Sequence, residues 1–244
     1  LLGYHSAVLA LRDKDDGSTI EQLIQALGDS DSDVKWHASQ ALAKIGAPAV
    51  EPLIQALSDR DSNVRQYAVL ALGNIGDTST IEQLIQALGD SDSDVKWYAI
   101  QALAKIGAPA VEPLVQALSD NSICGNAVLA LGSIGDARAI GPLIRMLGSD
   151  NNDIQRVAAE ALRRIGDGDL PRLILLSQEM PMRNRVAALR ALLGNNVWHH
   201  DLYEHYPSTS NDPRALCMMM AHDADTRPAA LEMLAYLDGE PQSL

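Results

Sequence analysis

An all-helical array of stacked hairpins is the fold this sequence predicts, and three observations predict it. Residues 18–59 recur almost letter for letter at 79–120, an offset of 61, with only His37/Tyr98, Ser39/Ile100 and Ile54/Val115 different. A shorter period lies inside that one: an Ile-Gly step closes at Gly46, Gly76, Gly107, Gly135 and Gly166, at spacings of 30, 31, 28 and 31. Within each unit the apolar residues follow helical spacing twice over. A unit this short has too little interior of its own, so its apolar face has to be covered by its neighbours.

Taken in order, the elements justify themselves by periodicity. Residues 7–11, Ala-Val-Leu-Ala-Leu, match 68–72 at the same offset of 61, so the chain is expected to open inside a second helix. The first complete unit begins with Ile20, Leu23, Ile24 and Leu27, one apolar face at i, i+3, i+4, i+7. That set returns as Val50/Leu53/Ile54/Leu57, Ile81/Leu84/Ile85/Leu88, Val111/Leu114/Val115/Leu118 and Ile140/Leu143/Ile144/Leu147. The second helix carries Val34, Ala38, Ala41, Leu42 and Ile45, repeated as Val64, Ala68, Ala71, Leu72 and Ile75. Its alanines fall where adjoining helices approach closely.

Punctuation agrees with this division. Asp31, Ser32, Asp92 and Ser93 stand where a second helix starts and offer oxygens to its free amides, while Gly46, Gly76 and Gly107 follow the last turn. Pro48 and Pro109 suit a first helical position. Pro52, Pro113 and Pro142 lie further in and are expected to bend the first helices, since each lacks an amide hydrogen.

Composition narrows the function classes. There is no phenylalanine and aromatics make up 4%, so the core is aliphatic. No apolar run reaches the roughly 18 residues that a membrane helix needs. Cys124 and Cys217 form no metal-ligand spacing and no disulfide framework, which predicts a reducing, cytoplasmic compartment. The net charge of −13 repels phosphate backbones and argues against general nucleic-acid binding. That charge is uneven: residues 138–190 hold nine arginines against six acids.

The pattern Asp-Val-Arg/Lys-x-x-Ala-x-x-Ala-Leu-x-x-Ile-Gly, followed by Ala-x-x-Pro-Leu-Ile-x-x-Leu, resembles the HEAT-like repeats named after phycobilisome lyases. It is carried by residues 33–47, 63–77, 94–108 and, more loosely, 153–167, and it fades beyond 167, although 185–192 still has the look of a second helix. The resemblance implies a right-handed, superhelical α-solenoid whose second helices line the concave face. On that reading 1–194 is an array of about six repeats, and 195–244 is a degenerate helical cap over its last apolar face.

Residues 28–33, Gly-Asp-Ser-Asp-Ser-Asp, alternate carboxylates as a calcium loop does, but Val34 stands where that loop needs glycine and Gln40 where it needs a bidentate glutamate. Helix capping accounts for these acids. HEAT-repeat hydroxylases acting on deoxyhypusine hold two irons with His-Glu pairs early in several second helices; the pairs here are Trp36-His37, Gln66-Tyr67, Trp97-Tyr98, Gly125-Asn126 and Arg156-Val157, which argues against that activity. His199, His200, Glu204 and His205 are the densest set of possible metal ligands, without the His-Glu-x-x-His spacing of zinc hydrolases. No phosphate loop, Gly-x-Ser-x-Gly motif or cofactor fingerprint is present in the sequence.

What stands out is the variable pair after each Val-Lys/Arg, on the side of the second helix away from the alanines. Trp36, His37 and Gln40, then Gln66 and Tyr67, then Trp97, Tyr98 and Gln101 line up aromatic and amide side chains; Arg156 and Arg164 continue the register into the basic stretch. Tryptophan and tyrosine are the residue types that concentrate binding energy at protein interfaces. Two readings stand, a partner-binding surface or packing that covers gaps between repeats. The fourth unit departs from the rest: its loop is two residues shorter, Cys124 replaces the basic residue, and Gly125 replaces the bulky one, which predicts a gap in the wall after Trp97 and Tyr98.

The sequence therefore predicts a protein-binding scaffold without a cofactor. The alternative that the resemblance implies is a lyase-like factor handling a bilin and a phycobiliprotein subunit, and a third is a metal-dependent enzyme built on the C-terminal histidines.

Overall fold

The computed structural model describes residues 17–165, 174, 185–186, 189, 213–221 and 226–239. Among these every regular element is helical, and the fold is the helical solenoid that the periodicity predicts. The helices are α1 (Gly17–Ala26), α2 (Ser32–Ile45), α3 (Ala47–Ala56), α4 (Ser62–Ile75), α5 (Ile81–Ala87), α6 (Ser93–Ile106), α7 (Val111–Ala117), α8 (Cys124–Ile134), α9 (Ile140–Leu147), α10 (Asn152–Ile165), α11 (Pro213–Met220) and α12 (Arg227–Gly239). The chain divides into two compact units, Leu1–Ile134 and Gly135–Leu244. The segment 7–11 and the array boundary expected at residue 194 lie outside the described residues.

In the first unit the caps explain the alternating acids. Asp29 accepts the amide of Asp31 at 2.8 Å, and Asp31, with extended backbone, accepts that of Asp33 at 2.9 Å to open α2. Asp59 and Asp61 repeat the relay before α4, and Asp90 and Asp92 before α6. Each carboxylate satisfies an amide that a turn or helix start leaves without a helical acceptor. The serines at 32 and 93 are the first residues of their helices, so the capping falls to the aspartates alone. At the other end, the Gly76 amide bonds the Leu72 carbonyl with φ at 72°, a backbone that side-chain-bearing residues rarely adopt.

Pro48 and Pro109 stand at the start of their helical segments, as expected, whereas Pro113 and Pro142 sit nearer a helix start than the period suggests. The segments Ala108–Ala110 and Ala137–Ala139 form 3-10 turns ahead of α7 and α9, so Pro113 and Pro142 fall at the third residue of their α-helices. A first-turn amide has no intrahelical acceptor to lose, which removes the reason for a bend. Pro52 lies inside α3, which runs continuously from Ala47.

Hairpins α1/α2, α3/α4, α5/α6 and α7/α8 each fold on themselves, and α2, α4, α6 and α8 stack in succession as one layer. The first helices contribute the bulk: Leu23, Leu27, Leu53, Leu84, Leu88 and Leu114 have no measurable exposure or nearly none. Truncating any one of them to alanine removes about 2–5 kcal/mol. The second helices contribute closeness: Ala38, Ala41, Ala68, Ala71 and Ala99 are fully buried. Closest of all is Gly73 on α4, where an added Cβ would lie 2.5 Å from the Ala102 Cβ and 2.7 Å from its Cα on α6.

Polar ties run along the same stack. Lys35 donates to Asn63 Oδ1 at 3.0 Å, joining the first repeat to the second. Arg65 joins the second to the third, clasping both oxygens of Asp90 at 2.8 Å while also donating to the carbonyls of Asp59 and Arg60. Both side chains of that pair are about 13% exposed. In the fourth repeat the equivalent residue is Cys124, buried, with burial pushing its thiol pKa up. There the shortened loop turns over 121–123, and Ile123 packs beside Gly89.

In the second unit α9 and α10 form a hairpin, and α11 packs on α12. Arg214 ties the latter pair to Asp238 at 2.8 Å and to the Leu237 carbonyl. Cys217, Met220 and Met233 are buried there, while Met218 is exposed.

Two predictions test this packing. Gly73→Ala should destabilise the protein by about 1–3 kcal/mol in urea unfolding, because overpacking of the α4–α6 contact outweighs the helix-propensity gain. Gly141→Ala, with nothing within 4 Å of the added methyl, should be neutral or gain up to about 1 kcal/mol. Second, hydrogen bonds from Arg65 hold the Asp90 carboxyl below its ordinary range. A depressed folded-state pKa gives stability that is present above the unfolded value near 3.8 and is lost as pH falls through the folded value. Asp90→Asn should therefore cost about 1–2 kcal/mol at pH 7, and the gap to wild type should close on acidification to below pH 3.

Candidate functional site

Which side of the stack is available for a partner follows from helix register. Alanines at 38, 41, 68, 71, 99 and 102 turn one side of α2, α4 and α6 into the interior, so the residues at 36, 40 and 44, and their equivalents, face outward. Trp36 is 49% exposed and Trp97 is 53% exposed, so about half of each indole remains in contact with water. That leaves a large apolar surface open to water at each position.

Each indole is braced by the residue that follows it. Trp36 meets the His37 ring edge-on at 4.8 Å and 78°, and Trp97 meets Tyr98 at 4.8 Å and 86°. Such contacts limit the rotation of a side chain that is otherwise half free. Between them, on α4, Tyr67 is partly buried with the Lys35 ammonium 5.8 Å from its ring centroid. Burial raises the Tyr67 phenol pKa, and the neighbouring Tyr98 adds to the rise, so the hydroxyl remains a neutral donor at physiological pH.

The third tier contains a depression of about 70 Å³. Tyr98, Gln101 and Lys105 of α6 form one wall and Leu70 and Asn74 of α4 the other, with Gly73 and Ala102 at the floor. Lys105 Nζ donates to Asn74 Oδ1 at 2.8 Å across it. The close Gly73–Ala102 approach thus sets the depth of a groove whose rim is aromatic, amide and cationic. A larger hollow of about 220 Å³ involves the first helices α3 and α5, but its charged group, Asp90, is already taken by Arg65.

The structure brings together eight of the sequence-predicted residues, Trp36, His37, Gln40, Gln66, Tyr67, Trp97, Tyr98 and Gln101, on three successively stacked helices. Arg156 and Arg164 lie on α10 of the other unit. Arg156 is exposed, but Arg164 Nε donates to Glu160 Oε1 at 3.2 Å within its own helix. Arg163 also donates to Glu160, at 2.7 Å. An i, i+3 and i, i+4 reading of the sequence could have found both pairs.

In the fourth repeat, Asn126 replaces the second aromatic and donates from Nδ2 to the Leu88 carbonyl at 2.8 Å, closing onto the turn of the preceding repeat. Sequence reasoning missed Lys35 as the cation beneath Tyr67 and Gly73 as the floor. The signal for Lys35 was its recurrence as Arg65 and Lys96 at the same register.

Among the described residues no group of three or more His, Cys, Asp or Glu side chains is placed to hold a metal ion. His199, His200, Glu204 and His205 lie outside them. No helix of the described residues is long and apolar enough to cross a membrane.

Comparison with known proteins bears on the architecture. A family model described as HEAT repeats matches residues 50–123 and 111–193, and the PBS lyase HEAT-like repeat matches 34–59. No curated protein matches the chain. Similar solved structures include an engineered protein at 26% identity, covering 66% of this chain and 89% of that one with a TM-score of 0.36. The complex of CpcE and CpcF of phycocyanin lyase from Nostoc sp. PCC7120 is 21% identical over 89% of this chain and 94% of that one, with a TM-score of 0.41. The E. coli YIBA protein is 18% identical over 96% of each chain, with a TM-score of 0.46. With its family-model match extending from residue 50 to 193, well over half its length, and its stacked helix hairpins, the chain belongs to the HEAT-repeat proteins.

Proposed function

We propose that this protein is a binding scaffold that takes an extended segment of a partner protein along the face formed by α2, α4 and α6, the concave side in this class of repeat. The observation that carries the reading is the pair of half-exposed, braced indoles, Trp36 and Trp97, at equivalent positions two repeats apart. Buried anchors concentrate interface energy in aromatic side chains, and a rigid anchor loses less entropy on binding. Tyr67, Tyr98, Gln40, Gln66 and Gln101 supply hydrogen-bonding groups around them. In the second unit, taken by itself, Arg156 stands at the equivalent register of α10, and Glu160 holds Arg164.

The match of residues 34–59 to the PBS lyase HEAT-like repeat favours one second reading, a factor that handles a bilin and its phycobiliprotein subunit. Purified protein that takes up phycocyanobilin and passes it to an apo-subunit would establish it.

The scaffold reading is tested by selecting 12-residue peptides from a phage-displayed random library on the wild-type chain. Selected peptides should bind Trp36→Ala/Trp97→Ala at least about tenfold more weakly, since two truncated anchors each remove of the order of 1–2 kcal/mol. Helicity and melting temperature should stay within a few degrees of wild type, because both indoles are half in water. Equal affinity for the variant would refute the proposed face.

A further inference from the structure

Capping uses some of the alternating aspartates and leaves two of them over. Before α2, Asp29 and Asp31 accept backbone amides; before α6, Asp90 and Asp92 do the same, and Arg65 clasps Asp90 as well. Asp33 and Asp94, the next in each series, lie inside the helices and are exposed. Among the described residues neither carboxylate accepts a hydrogen bond or enters an ion pair. An acid in the first turn complements the helix dipole, yet α4 opens with the neutral Asn63 in that place.

What stands one turn further on changes with it. Asp33 precedes Trp36 by three residues and Asp94 precedes Trp97 by three, whereas Asn63 precedes Gln66. Residues at i and i+3 share a helix face, with Cβ atoms roughly 5–6 Å apart, and a long helical side chain leans back over the turn before it. Each half-exposed indole is thus set beside an exposed carboxylate. The lysines at 35 and 96 come one residue before each indole, about 100° around the helix. Lys35 is turned to Asn63 of the neighbouring helix, at 3.0 Å. An aromatic face and a carboxylate within reach of one side chain are the pair of groups that holds a cation: the ring attracts the charge, and the carboxylate accepts its hydrogens.

Resting on the scaffold reading above, we infer that the partner segment is basic: an extended stretch of protein with two arginine or lysine side chains, which lie over Trp36 and Trp97 with their charges at Asp33 and Asp94. Arginine fits better, because its planar guanidinium stacks on a ring while its edge donates to a carboxylate. The net charge of −13 draws such a segment in from a distance. Spacing follows from the stack. Neighbouring helices lie roughly 8–10 Å apart, so the two indoles, two helices apart, are separated by about 16–20 Å. An extended chain rises about 3.3 Å per residue, which puts the two basic residues about five or six apart.

The peptides selected on the wild-type chain test this separately from the scaffold reading. They should carry arginine or lysine pairs at that spacing. Their affinity should fall at least about tenfold between about 50 and 500 mM NaCl, as screening weakens contacts between exposed charges. Asp33→Asn/Asp94→Asn should weaken binding about tenfold with melting within a few degrees of wild type, since Asn63 already serves at that position in α4. Glu51→Gln/Glu112→Gln, which removes the same number of charges from exposed positions on α3 and α7, should leave affinity unchanged. Peptides that depend on Trp36 and Trp97 but are neutral or acidic, or that ignore Asp33→Asn/Asp94→Asn, would overturn the inference and leave the scaffold reading standing. Equal weakening by the two double variants would overturn it by reducing the effect to overall charge. Displacement of the peptide by spermine at equal affinity would overturn it in favour of a small polyamine. Peptides indifferent to both indoles would sink the scaffold reading and this inference with it.

Discussion

The dependence of each helix hairpin on its neighbour underlies everything else in the first unit. A 30-residue hairpin with leucines on one helix and alanines on the other has an apolar face that only the next hairpin covers. The division of size is what makes the stack possible. Fully buried leucines fill the first-helix layer, and Ala38, Ala68, Ala99 and Gly73 let the second helices come close enough for Gly73 to touch Ala102. The groove beside Tyr98 owes its depth to that contact. A change that pushes α4 from α6 therefore alters packing and binding surface together.

On this packed base the polar residues work at two distances. Locally, aspartates hand amides from turn to helix, and this is where the negative charge of the unit is spent. Between repeats, Lys35 reaches forward to Asn63 in the first turn of α4, and Arg65 to Asp90 in the loop before α6. The bodies of α2 and α6 carry a Trp-His or Trp-Tyr pair, a glutamine and a terminal lysine, and that of α4 carries Gln66, Tyr67 and Asn74.

Much of the fold was legible in the sequence because the governing signal is periodic. The five Ile-Gly closures, the i, i+3, i+4 leucines and the alanine stripe are local patterns repeated until chance is no explanation. The site was legible as a register, since residues after Val-Lys/Arg must face away from the alanines. What escaped was whatever depends on two places at once. The Arg65–Asp90 clasp spans 25 residues, and the Gly73–Ala102 contact depends on an interhelix distance. The first-turn placement of Pro113 and Pro142 depends on 3-10 turns that period counting does not distinguish from α-helix. Ser39 and Ile100, a difference between the copies, are both buried, with the Ser39 hydroxyl bonded to the Trp36 carbonyl at 2.8 Å. That substitution therefore belongs to packing, and the other second-helix change, His37 to Tyr98, alters the brace of each indole.

The central claim is that Trp36 and Trp97 act together as the anchors of one bound segment. Nitrogen-15 spectra of the indole N–H groups, assigned with single Trp→Phe variants, follow both side chains during titration with a selected peptide. The account predicts that both signals move with one midpoint, equal to the dissociation constant measured for the peptide. A peptide that binds while both indole signals stay where they were would contradict it.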